Sequence, residues 1–314
     1  MAIRSAGVTG IAAREPLSSR FDRLFSPYAF IAPFFIIFGL FGLIPLLFTA
    51  WVSLFAWNPI GDQTFIGMDN YFRLVSDPRF WNATYNTISI WLLTTIPQLF
   101  MALGLAAVLN NALLKWKTGW RVAMLIPNVT SVVAVGIVFA SVFGRDYGLI
   151  NWVISLFGFA PIDWQIGTLS SHVAIATMVE WRWTGYWALI FLAAMQAVPR
   201  ELYEVASIDG ASKFRQFRSV TIPQLRGTII FMVTISTIGG LQVFAEPLIF
   251  GGQQNDVTGG VARQFQTLSL FLYEQGFRSF KFGYASGIAW VMCLIVLVFS
   301  LLNLLITRRI ASSE

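Results

Sequence analysis

The sequence has 314 residues, of which 56% are apolar and only 11% are charged, against about 25% charged residues in an average soluble protein. So few charges cannot cover the surface of a soluble globule of this length, which favours a membrane protein. The single cysteine and single histidine exclude an intrachain disulfide and a zinc site made of Cys and His, and they leave a hydrolytic site only His172 to use. We therefore predict a protein that is not an enzyme and holds no metal.

Six stretches are apolar and long enough to cross a bilayer, which takes about 20 helical residues. In chain order they cover residues 28–54, 86–109, 122–143, 172–197, 227–250 and 283–306. The predicted fold class is all-α, a polytopic membrane bundle of six transmembrane helices over residues 28–306, flanked by segments at 1–27 and 307–314. Residues 1–27 contain no apolar run, so no cleaved leader is expected.

Basic residues are unevenly distributed over the connections between these spans. With the N-terminus inside, fourteen of the 21 Lys and Arg residues fall on the cytoplasmic side and six on the outer side, while Arg182 lies within a span. Cytoplasmic loops carry the excess of basic residues, so both termini are predicted to be cytoplasmic. The net charge of +6 then reflects topology, and no nucleic-acid partner is expected.

The fourth predicted span carries charged and aromatic residues that a lipid-facing helix would not contain. Glu180, Trp183, Thr184 and Trp187 share one helix face by their spacing. A carboxylate beside indole rings suits a sugar, whose hydroxyls need hydrogen-bond partners and whose C–H faces pack on aromatic rings. The alternative is that Glu180 and Arg182 are structural, each with a partner elsewhere. His172, near the end of this span, is predicted to be a surface or interface residue.

The loop between the fourth and fifth spans, residues 199–226, is long, polar and patterned. Glu201 and Glu204 favour the positive end of a helix dipole, and Gly210 suits a left-handed helix stop, which predicts a short helix of about two turns. Its small residues, Ala206 and Ser207, allow another surface to approach closely. The helix could either dock on a cytoplasmic partner or lie at the lipid interface.

The fifth predicted span contains Gln242 and Glu246 on one face together with Gly239. The Gly239-Gly240 pair could open the helix near a cavity, which would make Gln242 and Glu246 substrate-binding candidates. A structural role for Glu246 remains the alternative. Further along, residues 266–277 are predicted to form a short helix outside the membrane.

Residues of the 199–226 loop resemble the EAA loop of permease subunits of bacterial binding-protein-dependent ABC importers. The matching positions are Glu204, Ala206, Asp209, Gly210, Ala211, Ile222 and Pro223. The sequence departs from that pattern at Val205, Ile222 and Arg226. Two further segments, 65–87 and 282–290, are similar to the carbohydrate permeases of the MalF type, which points to sugar importers.

This resemblance implies the type I ABC importer permease fold and a bacterial cytoplasmic-membrane location. It also implies a second permease subunit as a heterodimer partner, two ATPase subunits that hold ATP and Mg, and an extracellular solute-binding lipoprotein that delivers a sugar. No cofactor is expected in this chain, because none of its four lysines follows a glycine as a phosphate-binding loop requires. The coupling residues that the resemblance implies are Glu201, Glu204, Ala206, Ser207, Asp209, Gly210 and Ala211.

Three other functions stay open at this stage. A permease for glycerol phosphate would need cations in its path, and the spans offer only Arg182, which favours a neutral di- or oligosaccharide. An ion-driven secondary transporter would use Glu180 and Glu246 as ion sites, but internal repeats are expected there and none is visible. A membrane-embedded enzyme would have a single histidine and no paired carboxylates at helical spacing within a span.

Overall fold

The computed structural model describes residues 17–111, 113–251 and 257–312, so most of the predicted 1–27 segment and the end of the 307–314 tail lie outside the described residues. Helices dominate the described chain. Their bounds are α1 Leu17–Phe38, α2 Ile44–Val52, α3 Asp69–Ser76, α4 Pro78–Asn110, α5 Lys117–Val129, α6 Val132–Val142, α7 Leu149–Leu156, α8 Thr168–Gln196, α9 Arg200–Ile208, α10 Lys213–Gln216, α11 Ile222–Gln224, α12 Arg226–Gly240, α13 Ala245–Phe250, α14 Leu268–Tyr273 and α15 Phe282–Ser312. Three π-helical segments, Gly39–Leu43, Phe217–Thr221 and Glu274–Arg278, continue neighbouring helices.

The described residues fall into two units, 17–51 and 52–312. Within the first unit, α1 and the start of α2 are joined through the π-helical segment and are apolar over most of their length, with exposed side chains such as Phe30 and Phe41. Exposed aromatic residues in such density would be unstable in water and suit a lipid environment.

When helices are judged by length and apolarity, fewer membrane spans are found in the described chain than the six predicted. Three continuous helical stretches in the described chain qualify, Phe25–Val52, Pro78–Asn110 and Phe282–Asn303, and up to five spans result if two bent helix pairs each count as one. α8 is not sufficiently apolar to qualify, yet its 29 residues reach about 44 Å, more than the roughly 30 Å of a hydrocarbon core.

Two of the predicted spans are not continuous helices. Between α5 and α6 the axis bends by 93°, because the backbone of Thr130 and Ser131 leaves the helical conformation, with ψ angles of 142° and 129°. The predicted span 227–250 is likewise interrupted, since α12 ends at Gly240 and α13 begins only at Ala245. The second interruption occurs where the Gly239-Gly240 pair was predicted to open the helix, whereas the bend between α5 and α6 was not predicted.

The prediction of an all-α fold also missed a small β-hairpin that precedes α3. Strands β1, Phe55–Trp57, and β2, Gln63–Phe65, pair antiparallel. Asn58 starts the connecting turn: its carbonyl accepts from Gly61 N–H at 2.9 Å and its side chain from Ile60 N–H at 3.1 Å. The short helix predicted within residues 266–277 is present as α14 and the π-helical segment after it.

Helices α4 and α8 form the centre of the larger unit. Small residues of α4, including Ala102 and Ala106, lie in one buried cluster with Ala188 and Phe191 of α8 and Met232 of α12. Small side chains at helix contacts allow the close packing that associates helices in a membrane, where lipid removes the usual hydrophobic driving force.

We expect Gly185→Leu to destabilise the bundle and Gly104→Leu to be tolerated. A Cβ atom at Gly185 of α8 would overlap the Met124 carbonyl oxygen of α5, and backbone cannot move aside as a side chain can. A Cβ atom at Gly104 of α4 would meet nothing within 4 Å. Overpacking costs about 1–3 kcal/mol, so thermal unfolding in detergent should show a lower Tm for the first variant alone. Equal melting temperatures would contradict the close α5–α8 contact.

Candidate functional site

A cavity of about 370 Å³ lies between α4, α8, α12 and the turn that leads into α13. Its volume is within the range of small-molecule sites. The lining residues are Ile90, Trp91, Thr94, Thr95 and Gln98 of α4, Val179, Arg182, Trp183 and Trp187 of α8, Ile235, Ser236, Gly239 and Gly240 of α12, and Gln242, Val243, Phe244, Ala245 and Glu246 after it.

One ion pair forms part of the cavity wall. Nη1 of Arg182 donates to Oε1 of Glu246 at 2.6 Å, and the two side chains are 14% and 10% exposed. The pair joins α8 to α13. Among the described lining residues these two are the charged ones, so the wall carries no net formal charge. Burial of two charges is tolerated only where each has such a partner.

The structure brings together four of the six substrate-binding candidates. Trp183, Trp187, Gln242 and Glu246 line the cavity, whereas Glu180 and Thr184 do not. Val179, Trp183 and Trp187 are spaced four positions apart and form the cavity-facing stripe of α8. Glu180 and Thr184 each follow a residue of this stripe by one position, so their side chains are rotated by about 100° around the helix axis.

The candidates from sequence omitted the wall that α4 supplies. Trp91, Thr95 and Gln98 follow the i, i+4, i+7 spacing, all are buried, and all line the cavity. Trp91 Nε1, Thr95 Oγ1 and Gln98 Nε2 have no hydrogen-bond partner among the described residues. Buried polar groups without partners are rare, and at a cavity they mark hydrogen bonds that a bound molecule can complete. Their polar spacing inside an apolar span was the available sequence signal.

The break between α12 and α13 shapes the same cavity, as the Gly239-Gly240 pair suggested. A Cβ atom on Gly240 would lie 2.6 Å from Cδ1 of Trp91, so glycine permits the indole to pack against the end of α12. The chain then leaves the helix and presents Gln242 and Val243 to the cavity before α13 begins.

The segment 259–267, which we call the clasp, is held by side chains of two long helices. The Arg263 carbonyl accepts from Nδ2 of Asn82 at 2.8 Å and of Asn86 at 2.9 Å, and Asn86 also donates to the Gln266 carbonyl at 3.1 Å. Arg263 has a φ of +56°, a conformation that costs a non-glycine residue free energy and is fixed here by these contacts.

His172 is fully buried and contacts the clasp within this chain, so its prediction as a surface or interface residue was wrong. Its Nε2 donates to the Gln264 carbonyl at 2.9 Å, and its Nδ1 lies 2.9 Å from the Ser89 hydroxyl. The clasp also reaches the cavity wall, because the Thr267 hydroxyl donates to the Val243 carbonyl at 2.9 Å. The clasp thus fixes the position of the turn that lines the cavity.

A bidentate ion pair closes the clasp. Arg263 Nη1 and Nη2 lie 2.6 and 2.8 Å from the two carboxylate oxygens of Glu274, which also accepts from Gln266 at 2.7 Å. Burial alone would raise the pKa of the Glu274 carboxyl, but these hydrogen bonds outweigh burial and lower that pKa below its usual value.

We expect acid to remove the stabilisation that Glu274 provides. Because its folded-state pKa is lowered, the contribution is present above the unfolded value of about 4.3 and disappears as the pH falls through the folded value. Glu274→Gln should therefore destabilise the protein by about 2 kcal/mol at pH 7, and the difference from wild type should shrink as the pH falls below about 4.3. Thermal melting at several pH values measures this, with exposed Asp146→Asn as the control. A pH-independent difference would contradict it.

The 199–226 loop folds as predicted at its start, with α9 ending in a glycine turn. Gly210 has a φ of +75°, its N–H donates to the Ser207 carbonyl at 3.1 Å, and the Ala211 N–H donates to the Ala206 carbonyl at 2.9 Å. These two bonds form the Schellman motif, in which a left-handed glycine ends a helix.

Gln216, which sequence reasoning did not single out, fixes the angle between α9 and α10. It is buried, and its Nε2 donates to the Ser207 hydroxyl at 2.9 Å and to the Ala211 carbonyl at 3.1 Å. The Tyr203 hydroxyl adds a bond of 2.9 Å to the Thr221 hydroxyl. The loop is therefore a defined unit with a fixed surface.

The outer surface of this unit is apolar and acidic. Val205, Ile208 and Phe214 are 57%, 86% and 75% exposed, and Glu204 and Asp209 beside them are exposed as well. The seven residues proposed from the resemblance, Glu201 to Ala211, thus lie on α9 and its turn. Large apolar side chains held in an exposed, rigid turn are typical of an interaction surface.

Residues 88–312 match a protein family described as the binding-protein-dependent transport system inner membrane component. The chain is 35% identical over 280 residues to the arabinooligosaccharides transport system permease protein AraP of Bacillus subtilis (strain 168). The match covers 89% of this chain and 87% of AraP. It is 37% identical over 285 residues to the lactose transport system permease protein LacF of Rhizobium radiobacter, and the match covers 90% of this chain and 94% of LacF.

A similar fold occurs in a crystal structure of a bacterial alginate ABC transporter in complex with an alginate pentasaccharide-bound periplasmic protein. The TM-score is 0.79 with 21% sequence identity, and the match covers 94% of this chain and 98% of that one. At this identity the likeness concerns the fold alone.

Proposed function

The chain belongs to the family of binding-protein-dependent transport system inner membrane components, and from that premise we propose that it is the permease subunit of an ATP-driven ABC importer of a neutral oligosaccharide. The relatives named as arabinooligosaccharide and lactose permeases support the sugar class. The family description and the apolar helices agree with a multi-pass protein of the inner membrane.

The observation that carries the sugar assignment is the composition of the cavity wall. Two indole rings of α8, Trp183 and Trp187, offer flat apolar surfaces for the C–H faces of a sugar ring. The facing helix α4 supplies Trp91 Nε1, Thr95 Oγ1 and Gln98 Nε2 for hydroxyl groups, and none of these atoms has a hydrogen-bond partner within the described parts of the chain. The binding residues of the proposal are these five together with Gln242 and Glu246.

The charge of the wall supports a neutral cargo. Arg182 and Glu246 neutralise each other at 2.6 Å, so an anionic sugar would have to displace a buried carboxylate to reach the guanidinium. That displacement leaves Glu246 without a partner, which is costly away from water. Glycerol phosphate and acidic sugars are therefore disfavoured relative to neutral di- and oligosaccharides.

Coupling to ATP is assigned to the 199–226 loop. We infer that α9 and its glycine turn, from Glu201 to Ala211, dock on ATPase subunits that bind ATP and Mg. The exposed apolar side chains of Val205, Ile208 and Phe214 support this role, because a helix lying free in water would not expose them. ATP-driven closure of those subunits would move the loop and switch the cavity between inward and outward access.

The proposed topology has six spans and both termini in the cytoplasm. It counts α8 as a span on its length, counts the α5–α6 pair as one span and the predicted 227–250 stretch as another, and follows the distribution of fourteen against six basic residues. A second permease subunit would complete the path, and an extracellular solute-binding lipoprotein would deliver the sugar.

Two measurements test this function. The tagged chain purified in mild detergent should bring along a second permease and ATPase subunits, whereas an ion-driven transporter would purify alone. Uptake should then be measured in cells with labelled arabino-oligosaccharides, lactose, maltose, glycerol phosphate and a sulfonated sugar glycoside. ATP-dependent uptake of a neutral oligosaccharide is expected, and preferential uptake of either anionic compound would contradict the cavity assignment.

A further inference from the structure

A second concave site lies at the start of α5. This groove has a volume of about 510 Å³ and is lined by Leu114, Lys115, Trp116, Gly119, Trp120 and Ala123. None of these residues lines the cavity described above. The lining combines a cation and two indole rings with small residues that leave an open trough.

The groove is surrounded by positive charge that the chain itself does not neutralise. Lys115, Lys117 and Arg121 fall within seven positions, and the sequence contains no acidic residue between Asp77 and Asp146. Within the described part of the chain, no ion pair is formed by any of the three cations. Arg121 Nε is buried and has no acceptor among the described residues.

The aromatic residues of the groove suit a membrane interface. Trp116 precedes α5 with a left-handed φ of +62° and is 86% exposed, and Trp120 follows it one helical turn later. α5 then continues with exposed Leu125 and Ile126, which suit lipid. Indole rings concentrate where acyl chains meet headgroups, so the groove spans this boundary with its cations on the polar side.

We propose that this groove binds an anionic phospholipid of the cytoplasmic leaflet. The phosphate lies at Lys115, with Lys117 and Arg121 adding positive charge from the first turns of α5, and the first part of an acyl chain runs past Gly119 and Ala123. Anionic lipids are attracted to basic residues next to a membrane helix, and the trough beside those residues gives the chain of the lipid a place to lie. A free phosphate would satisfy the cations but would leave the apolar trough empty.

The test measures lipid binding to the full chain, purified with the subunits that accompany it in a neutral detergent. Phosphatidylglycerol and phosphatidylcholine are titrated separately and bound lipid is counted by native mass spectrometry. Removing two cations in Lys115→Gln/Lys117→Gln should weaken phosphatidylglycerol binding about thirty-fold, as expected for two Lys residues near an anionic surface. Arg308→Gln/Arg309→Gln removes the same number of positive charges near the C-terminus and should weaken phosphatidylglycerol binding less than threefold.

A second variant separates the trough from the charges. Gly119→Leu keeps all three cations and fills the groove, and a Cβ atom there meets nothing within 4 Å, so the fold tolerates it. It should also weaken phosphatidylglycerol binding at least fivefold. Equal binding of both lipids, equal effects of the two charge variants, or full competition by glycerol 3-phosphate without acyl chains would overturn the proposal. Loss of ATPase subunits from the Lys variant with unchanged lipid binding would overturn it too.

Discussion

Glu246→Leu is expected to abolish sugar uptake and to reduce the amount of folded protein in the membrane. The substitution leaves the Arg182 guanidinium, 14% exposed, without the carboxylate that it contacts at 2.6 Å. Removal of one member of a buried ion pair costs about 3–5 kcal/mol, because the remaining charge stays away from water unpaired. Such a loss is comparable to the whole stability of many domains. Membrane-inserted protein and Tm in detergent measure it.

The double variant Arg182→Met/Glu246→Leu separates folding from transport. Replacing both charges by apolar side chains of similar size is neutral or stabilising in many proteins, so the double variant should regain the wild-type melting temperature. Uptake should nevertheless stay at least tenfold below wild type, because the cavity has lost the groups that hydrogen-bond sugar hydroxyls. Recovery of both stability and uptake would show that the pair is structural only.

The residues of the ion pair could be found in the sequence, but their pairing could not. An ionisable residue in a membrane span faces protein or water and has a partner, which identified Glu180, Arg182 and Glu246. The partner of Arg182 lies 64 positions away on another helix, and helical spacing says nothing about such contacts. Glu180 was assigned to the wrong helix face relative to the cavity, because the direction of that face depends on how α8 packs against α4 and α5.

The breaks in the helices show a similar limit. Hydropathy located the apolar stretches well, because the cost of burying polar groups in lipid acts on every residue independently. The 93° bend after Pro127 and the turn after Gly240 depend on packing that makes up for lost backbone hydrogen bonds. The polar stripe of Trp91, Thr95 and Gln98 could have been recognised, since its spacing is that of a single helix face.

The 199–226 loop was predicted more accurately because its structure is local. A helix of nine residues and a glycine turn are specified by neighbouring positions, through the helix dipole and the left-handed preference of glycine. The Gln216 contacts were not predictable from this pattern. They matter for function, because they hold Val205, Ile208 and Phe214 in one arrangement that a partner can recognise.

Gly210→Val is expected to uncouple transport from ATP hydrolysis, with uptake at least tenfold lower and insertion in the membrane unchanged. A β-branched residue at a φ of +75° costs about 1–2 kcal/mol, and the chain can avoid that cost by opening the turn. Opening the turn breaks the hydrogen bonds of the Gly210 and Ala211 amides to α9 and changes the position of Ile208 relative to Phe214. The docking surface is then lost while the bundle stays intact.

Two matched variants make this result specific to the loop. Gly158→Val introduces the same residue at a φ of +80° with open space around it, so it carries equal backbone strain at a site outside the loop and should keep ATPase subunits bound and the uptake rate within twofold. Gly210→Asn should retain most uptake, because asparagine adopts the left-handed conformation more readily than other residues with a Cβ atom. If Gly210→Val transports normally, or if Gly158→Val loses ATPase subunits to the same extent, the turn does not transmit the force of ATP binding. Gly158→Val keeps the backbone strain and changes its position, whereas Gly210→Asn keeps the position and reduces the strain. The three variants therefore test the surface that Gly210 organises without altering any charged residue.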